Sequence, residues 1–315
     1  MKNTTSIYGT LYGVAVGDAL GAPLEFMDQE QIKAEHGSVT EMIGGGWLNV
    51  EPGEITDDTQ MTIAVAEGIL ENPNKPIEAI GKRFIKWYES RPKDIGGTCR
   101  GSIVRAINNA ESSGREYPSV EDWESAAICT HKSMGGRSAG NGSLMRTAYV
   151  GAYYSKNVDI FGHASFISGM THYDQEAGMA CVAYSFLIDA LIKNPERKTL
   201  IEALEGAKQL IPYYDYEKLT SSGFKPKPTG YVVDSFEVAL HCILTTDLFK
   251  AAVIKAVNLG GDADTIGAIT GGIAGALYGY SAIPRDWKES LSWDVRKKLD
   301  DLSEAAEKAR VAREP

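Results

Sequence analysis

Two rows of glycine restrict what this chain can become. Gly267, Gly271, Gly275 and Gly279 recur at every fourth residue within a run, Thr265 to Pro284, that holds no charged side chain. Near the other end Gly9, Gly13, Gly17 and Gly21 repeat the spacing. Residues four apart share one face of an α-helix, and each glycine there costs about 1 kcal/mol relative to alanine. Such rows need a neighbour whose backbone comes closer than a side chain would allow. We expect helices over 7–21 and 265–280 that pack glycine face to glycine face, a steric argument independent of lipid. The competing expectation gives each row its own bulky neighbour.

At 315 residues the chain has room for one large domain or two ordinary ones, and 43% hydrophobic with 23% charged residues is globular composition. A net charge of -10 argues against nucleic acid as a partner but leaves room for a nucleotide-like ligand held by backbone groups and a metal. Cys99, Cys129, Cys181 and Cys242 are scattered, without a CxxC pair, as in a reduced, cytoplasmic protein. Asp18 interrupts the N-terminal apolar run and no cleavage region follows, so a signal peptide is rejected. The 265–284 run is long enough to span a bilayer, but its glycines favour a buried core helix, and no membrane association is expected.

Helical periodicity extends from about Thr59 to Leu70 and over 77–90, where Ile80, Phe84 and Trp87 form one stripe. It continues through Ile103 and Ile107, and over 143–154, 158–170, 174–193, 199–209, 232–245 and 247–258. The charged tail 285–313 reads as a solvated outer helix. Residues 112–120, 132–141 and 211–230 read as loops. No strand alternation or hairpin signal appears. The expectation is an all-α single domain, 1–315, of a dozen or so helices.

Two acidic clusters stand at helix starts: Thr56-Asp57-Asp58 and Asp262-Ala263-Asp264-Thr265. Taken singly, each is an ordinary N-cap. Taken together, both offer two carboxylates and a hydroxyl, and Glu25, just beyond the first glycine row, adds another. Carboxylates sharing a small volume need cations between them. All-oxygen ligation points to two Mg²⁺ ions, with Mn²⁺ the other candidate. The glycine-rich loop Ser138-Ala139-Gly140-Asn141-Gly142 either cradles a diphosphate on backbone N–H groups or is a plain surface loop. No P-loop or Rossmann pattern is present. His172 is a lone histidine, structural unless context says otherwise, and no HxxxH pair supports zinc.

Taken together, five stretches resemble the ADP-ribosylglycohydrolase family: Gly17-Asp18-Ala19-Leu20-Gly21-Ala22-Pro23-Leu24-Glu25, Thr56-Asp57-Asp58-Thr59, Gly140-Asn141-Gly142-Ser143-Leu144-Met145-Arg146, Thr171-His172 and Gly260-Gly261-Asp262-Ala263-Asp264-Thr265. Asp94-Ile95-Gly96-Gly97-Thr98 and Gly230-Tyr231-Val232-Val233-Asp234 resemble its bacterial dinitrogenase reductase-activating branch. The resemblance implies an all-helical fold with a binuclear Mg²⁺ centre that hydrolyses the bond between ADP-ribose and a modified side chain. It implies that Thr56, Asp57, Asp58, Asp262, Asp264 and Thr265 hold the metals. Glu25 would be a metal-proximal acid, and Glu25 or Asp58 the proton-transferring carboxylate. Ser138, Gly140, Asn141 and Gly142 would cradle the diphosphate, with His172 on the ribose or phosphate side. Tyr231 would line the pocket, and Asp94, Gly97 and Thr98 would border the acceptor. An ADP-ribosylated protein is then the substrate partner and ADP-ribose the product. A carboxylate at Asp94 favours arginine as acceptor, with serine as the alternative. The competing class is a protein that binds ADP-ribose or blocks an ADP-ribosylating partner without turnover. A two-metal phosphohydrolase would need histidine-bearing ligand motifs, and none is seen.

Overall fold

The structure, a computed structural model, describes residues 2–208 and 214–313. Among them are sixteen α-helices and no β-strand. They are α1 (Lys2–Gly21), α2 (Gln29–His36), α3 (Asp57–Glu71), α4 (Ile77–Glu89), α5 (Gly97–Ser112), α6 (Val120–Ser133), α7 (Ala148–Tyr153) and α8 (Asn157–Gly169). Then follow α9 (Gln175–Lys193), α10 (Arg197–Ala207), α11 (Tyr216–Thr220), α12 (Val232–Leu244), α13 (Phe249–Val257), α14 (Ala263–Tyr278), α15 (Arg285–Ser290) and α16 (Trp293–Val311).

The seam between α1 and α14 is the axis of the molecule. A Cβ placed on Gly9, Gly13 or Gly17 would lie 2.2, 2.0 or 2.0 Å from the carbonyl oxygen of Gly275, Gly271 or Gly267. Real Cβ contacts begin beyond 3 Å, so only glycine permits this approach. The pairs run in opposite directions along the two helices, so the seam is antiparallel. Gly21 and Gly279 depart from face-to-face pairing: Gly21 meets the Ala263 carbonyl, and Gly279 ends α14 at φ 81° against Thr5. The register has a functional consequence, because the C-terminal end of α1 meets the N-terminal end of α14.

One hydrophobic core surrounds the seam, running from Ile7 to Ala306, and Ile80, Phe84 and Trp87 of the expected α4 stripe are in it. Among the described residues α9, and not α14, is the helix long and apolar enough to span a bilayer, contrary to the expectation for the 265–284 run, and most of it is buried within the fold. Several boundaries differ from expectation. The helices α2 and α6 were missed, although capping boxes Asp28–Gln31 and Ser119–Asp122 open them. The expected 143–154 helix is a 3₁₀ turn, Asn141–Ser143, followed only later by α7. The 211–230 stretch contains the short α11, and its first three residues, like residue 209 of the expected 199–209 helix, lie outside the described residues. The tail is less solvated than expected. It divides at the Ser292 cap, Trp287 of α15 is fully buried, and Arg310 of α16 forms a buried ion pair with Asp189 at 2.6 Å.

Candidate active site

Three helix termini converge. The chain leaves α1 through a 3₁₀ turn, Ala22–Leu24, to deliver Glu25. The first turn of α14 delivers Asp264 and Thr265, with Asp262 just before it, and the first turn of α3 delivers Asp57 and Asp58. Gly261 fixes the approach to α14: it sits at φ 66°, and a Cβ on it would fall 1.8 Å from the Pro228 carbonyl oxygen. Its carbonyl accepts from Phe26 N–H and its N–H donates to Met27 O, each at 2.7 Å. Those bonds tie the Glu25 segment to the Asp262 turn.

The carboxylates are not helix caps. Thr56 and Asp262 occupy the N-cap positions of α3 and α14, and neither side chain makes a capping hydrogen bond. Oxygens of Glu25, Asp262 and Asp264 lie within 4.8 Å of one another, as do oxygens of Asp18, Asp58 and Asp264. Burial first, and neighbouring carboxylates second, push Asp57, Asp58 and Asp264 well above the ordinary aspartate range. Burial also drives Glu25 up to about 8, against the Trp47 hydrogen bond that lowers it. Asp58 Oδ2 accepts from the Thr265 hydroxyl at 3.3 Å and lies 3.3 Å from the Thr56 hydroxyl oxygen. Its Oδ1 is buried and has no donor. A crowded carboxylate set with a bare buried oxygen is what a hard divalent cation would complete. The residues therefore fit the group.

Asp18 was not singled out as a site residue. It is close enough to share a cation with Asp58 and Asp264, yet its oxygens already accept from the backbone N–H and hydroxyl groups of both Thr56 and Thr59. We assign it as the anchor that clamps the start of α3, since those bonds use its lone pairs. Burial raises its carboxyl to about 6 despite these bonds. The Thr56 hydroxyl donates its proton to Asp18 at 2.8 Å, which leaves its oxygen lone pairs free to face a cation.

Above the acids is a cavity of about 240 Å³. Its lining brings together Glu25, Asp57, Asp94, Gly97, Thr98, Gly140, Asn141, Gly142, His172, Asp262, Asp264 and Thr265. Asp58 lies beneath this floor, 1% exposed. Three expected diphosphate or pocket residues also hold bonds within the protein. Ser138 is buried and its hydroxyl pairs with His131 Nδ1 at 2.7 Å. Asn141 spends its backbone N–H on Gly230 O at 3.0 Å and its amide on Asp262 Oδ2 at 2.8 Å and Ser235 at 2.9 Å, so it braces the acidic turn. Tyr231 donates to Glu176 at 2.6 Å and is not part of the lining, where Gly230 stands instead.

His172 has a defined protonation state. Arg146, fully buried and not anticipated as a site residue, donates from Nη2 to Thr171 Oγ1 at 2.7 Å. With one hydroxyl lone pair taken by that guanidinium, we assign the Thr171 proton to His172 Nδ1, 2.7 Å away. That network assigns the remaining proton to Nε2. Burial, with the Arg146 charge behind it, holds the imidazole pKa down to about 3, so the ring stays neutral. Nε2 lies under the loop: a Cβ on Gly140 or Gly142 would come within 3.3 or 3.4 Å of it. The site thus has an acidic floor, a glycine loop and one fixed N–H donor.

Comparison with known proteins gives the family. The family model described as ADP-ribosylglycohydrolase matches residues 2–315. The chain is 32% identical over 292 residues to ADP-ribosyl-[dinitrogen reductase] glycohydrolase of Rhodospirillum rubrum, covering 92% of each chain. It is 31% identical over 309 residues to ADP-ribosylarginine hydrolase Tri1 of Serratia proteamaculans, covering 94% of this chain and 77% of that one. A solved structure described as an ADP-ribosylglycohydrolase-related protein complex superposes with a TM-score of 0.77 at 30% identity, over 98% of this chain and 99% of the other. With the helical fold, the converging acids and the glycine loop all in place, the chain belongs to the ADP-ribosylglycohydrolase family of hydrolases.

Proposed function

We propose that this protein removes ADP-ribose from modified arginine side chains of proteins and that it does so with two Mg²⁺ ions, Mn²⁺ being able to substitute. The observation that carries the proposal is the buried, donorless Asp58 Oδ1 within an acidic set drawn from both ends of the chain. Thr56, Asp57, Asp58, Asp262, Asp264 and Thr265 would hold the ions, with Glu25 at their edge. When bound, such ions supply Lewis acidity toward ribose hydroxyls and a water.

The chain's own groups supply the rest. His172 Nε2–H, fixed by Thr171 and Arg146, donates to the ribose or phosphate side of ADP-ribose. The Gly140–Gly142 loop admits the ligand backbone-close to that ring. Glu25, at the mouth, would give a proton to the acceptor nitrogen, or take one from the attacking water, as the C1″–N bond breaks, a step with oxocarbenium character. Asp58 is too deep for that role and serves the floor. Asp94 lines the same mouth and offers a carboxylate to a guanidinium. The relatives named for arginine or for dinitrogen reductase support this reading.

The test is to assay ADP-ribosyl-arginine and ADP-ribosyl-serine peptides side by side with Mg²⁺. Turnover of the arginine conjugate is expected, and turnover of the serine conjugate alone would contradict it. A protein that only binds would retain ADP-ribose affinity and show no release from either peptide.

A further inference from the structure

We propose that Phe26 and Trp47 form an aromatic wall that grips the acceptor guanidinium, and that Trp47 is also the positioning residue for Glu25; this rests on the arginine reading above. The two rings pair at 5.2 Å between centroids, tilted by 40°. They are exposed, Phe26 at 68% and Trp47 at 51%. Two large apolar side chains standing open beside carboxylates need a reason that burial does not provide.

Phe26 lies at φ 65°, a backbone conformation that bulky residues avoid. The reciprocal bonds to Gly261 described above hold it there, and strain of this kind marks functional sites. Trp47 lies in a tight turn closed by Gly45 N–H to Val50 O at 2.7 Å and Val50 N–H to Gly45 O at 2.9 Å. The turn presses on the segment leading to Glu25: a Cβ on Gly46 would be 2.6 Å from the Pro23 carbonyl oxygen. Trp47 Nε1–H then donates to Glu25 Oε2 at 2.7 Å.

Phe26 therefore lines the cavity next to Glu25 and Asp94, and Trp47 stands against both Phe26 and Glu25. Aromatic faces and carboxylates are what a planar, delocalised cation seeks, since guanidinium stacks on rings while its N–H groups reach acids. A neutral acceptor such as a serine ether gains nothing from such a wall. The leaving side chain is thereby sorted by charge and planarity, and the proton-moving carboxylate is oriented by the same tryptophan.

The experiment uses free ADP-ribosyl-arginine, which has no protein surface, alongside an arginine-ADP-ribosylated protein. Phe26→Leu is expected to raise KM for the free conjugate about 3- to 30-fold, with the loss in KM rather than kcat. Trp47→Phe retains a ring and loses the N–H, so its loss falls on kcat, whereas Trp47→Leu loses both. Unchanged ADP-ribose affinity shows that the variants are folded. If wild type turns over the free conjugate while Phe26→Leu and Trp47→Leu keep its KM within about twofold, the wall is overturned and the arginine reading stands. If KM rises only for the modified protein, the rings touch the target's surface and the guanidinium assignment is overturned. If wild type turns over no arginine conjugate, the arginine reading falls and the wall with it.

Discussion

Alanine at Gly13 should damage stability and activity together, although alanine is the better helix former. Its Cβ would sit 2.0 Å from Gly271 O and 2.6 Å from Gly271 C, both backbone atoms that no rotamer change can move. Restoring an ordinary contact of about 3.4 Å opens the α1–α14 seam by about 1 Å or more. Overpacking costs about 1–3 kcal/mol when side chains can yield. With backbone as the obstacle we take about 3 kcal/mol, less about 1 kcal/mol of helix propensity, for a net loss of about 2 kcal/mol or more. For a chain of this length the unfolding entropy is about 0.66 kcal/mol/K, so Tm falls by about 3 °C or more. The control is Gly162→Ala in α8, where an added Cβ meets nothing within 4 Å; it should gain up to about 1 kcal/mol. Thermal melts of both variants, with ADP-ribose release measured on each, give the comparison. The seam sets the Glu25-to-Asp264 spacing, so Gly13→Ala should also lose about tenfold or more in kcat, since small misplacements are costly to catalysis. A Gly13→Ala protein as stable and active as Gly162→Ala would refute the close-packed seam.

His172 should make stability fall on acidification. Its folded pKa is depressed to about 3 from 6.5 by burial, so the contribution is fully present above pH 6.5 and is lost as pH drops toward 3. Relative to His172→Phe, Mg²⁺-saturated wild type should lose about 2 kcal/mol between about pH 7.5 and 5, read from urea melts; parallel curves would contradict it. Asp18→Asn turns an acceptor of four buried donors into a partial donor, so a loss of about 2–4 kcal/mol is expected by denaturant titration, together with most of the activity. Mg²⁺ at about 100 times its Kd should stabilise wild type by about 2.7 kcal/mol per tightly coupled site in melts. Asp58→Asn should lose that response while being no less stable than wild type without metal, because it relieves crowded charge.

Much of the site was legible because its signals are local and chemical. The glycine rows pair as their spacing requires, at 9–275, 13–271 and 17–267, since a missing side chain is a steric fact visible in sequence. The acids converge because that seam is antiparallel. What escaped depends on side-chain direction. Asp18 looked like an interruption of an apolar helix, and nothing in its spacing shows that it faces Thr56 and Thr59. Arg146 fell within an expected helix, but the segment instead folds as a 3₁₀ turn followed by a further turn that buries the guanidinium against Thr171 and the Phe84 ring. Asn141 was read as a backbone donor, while a tertiary bond to Gly230 had already used its N–H, and the Ser138 hydroxyl turns to His131. The helices α2 and α6 carry a local signal of their own in the capping boxes that open them.

The central claim is that this acidic floor is a divalent-metal centre for ADP-ribosyl hydrolysis. Its most direct test is release of free ADP-ribose from an arginine-ADP-ribosylated peptide by metal-depleted protein, before and after Mg²⁺ is restored, for wild type and Asp264→Asn. The account predicts no release without metal, full recovery on Mg²⁺ addition in wild type, and none in Asp264→Asn. Release that persists in metal-depleted protein, or in Asp264→Asn at the wild-type rate, would contradict it.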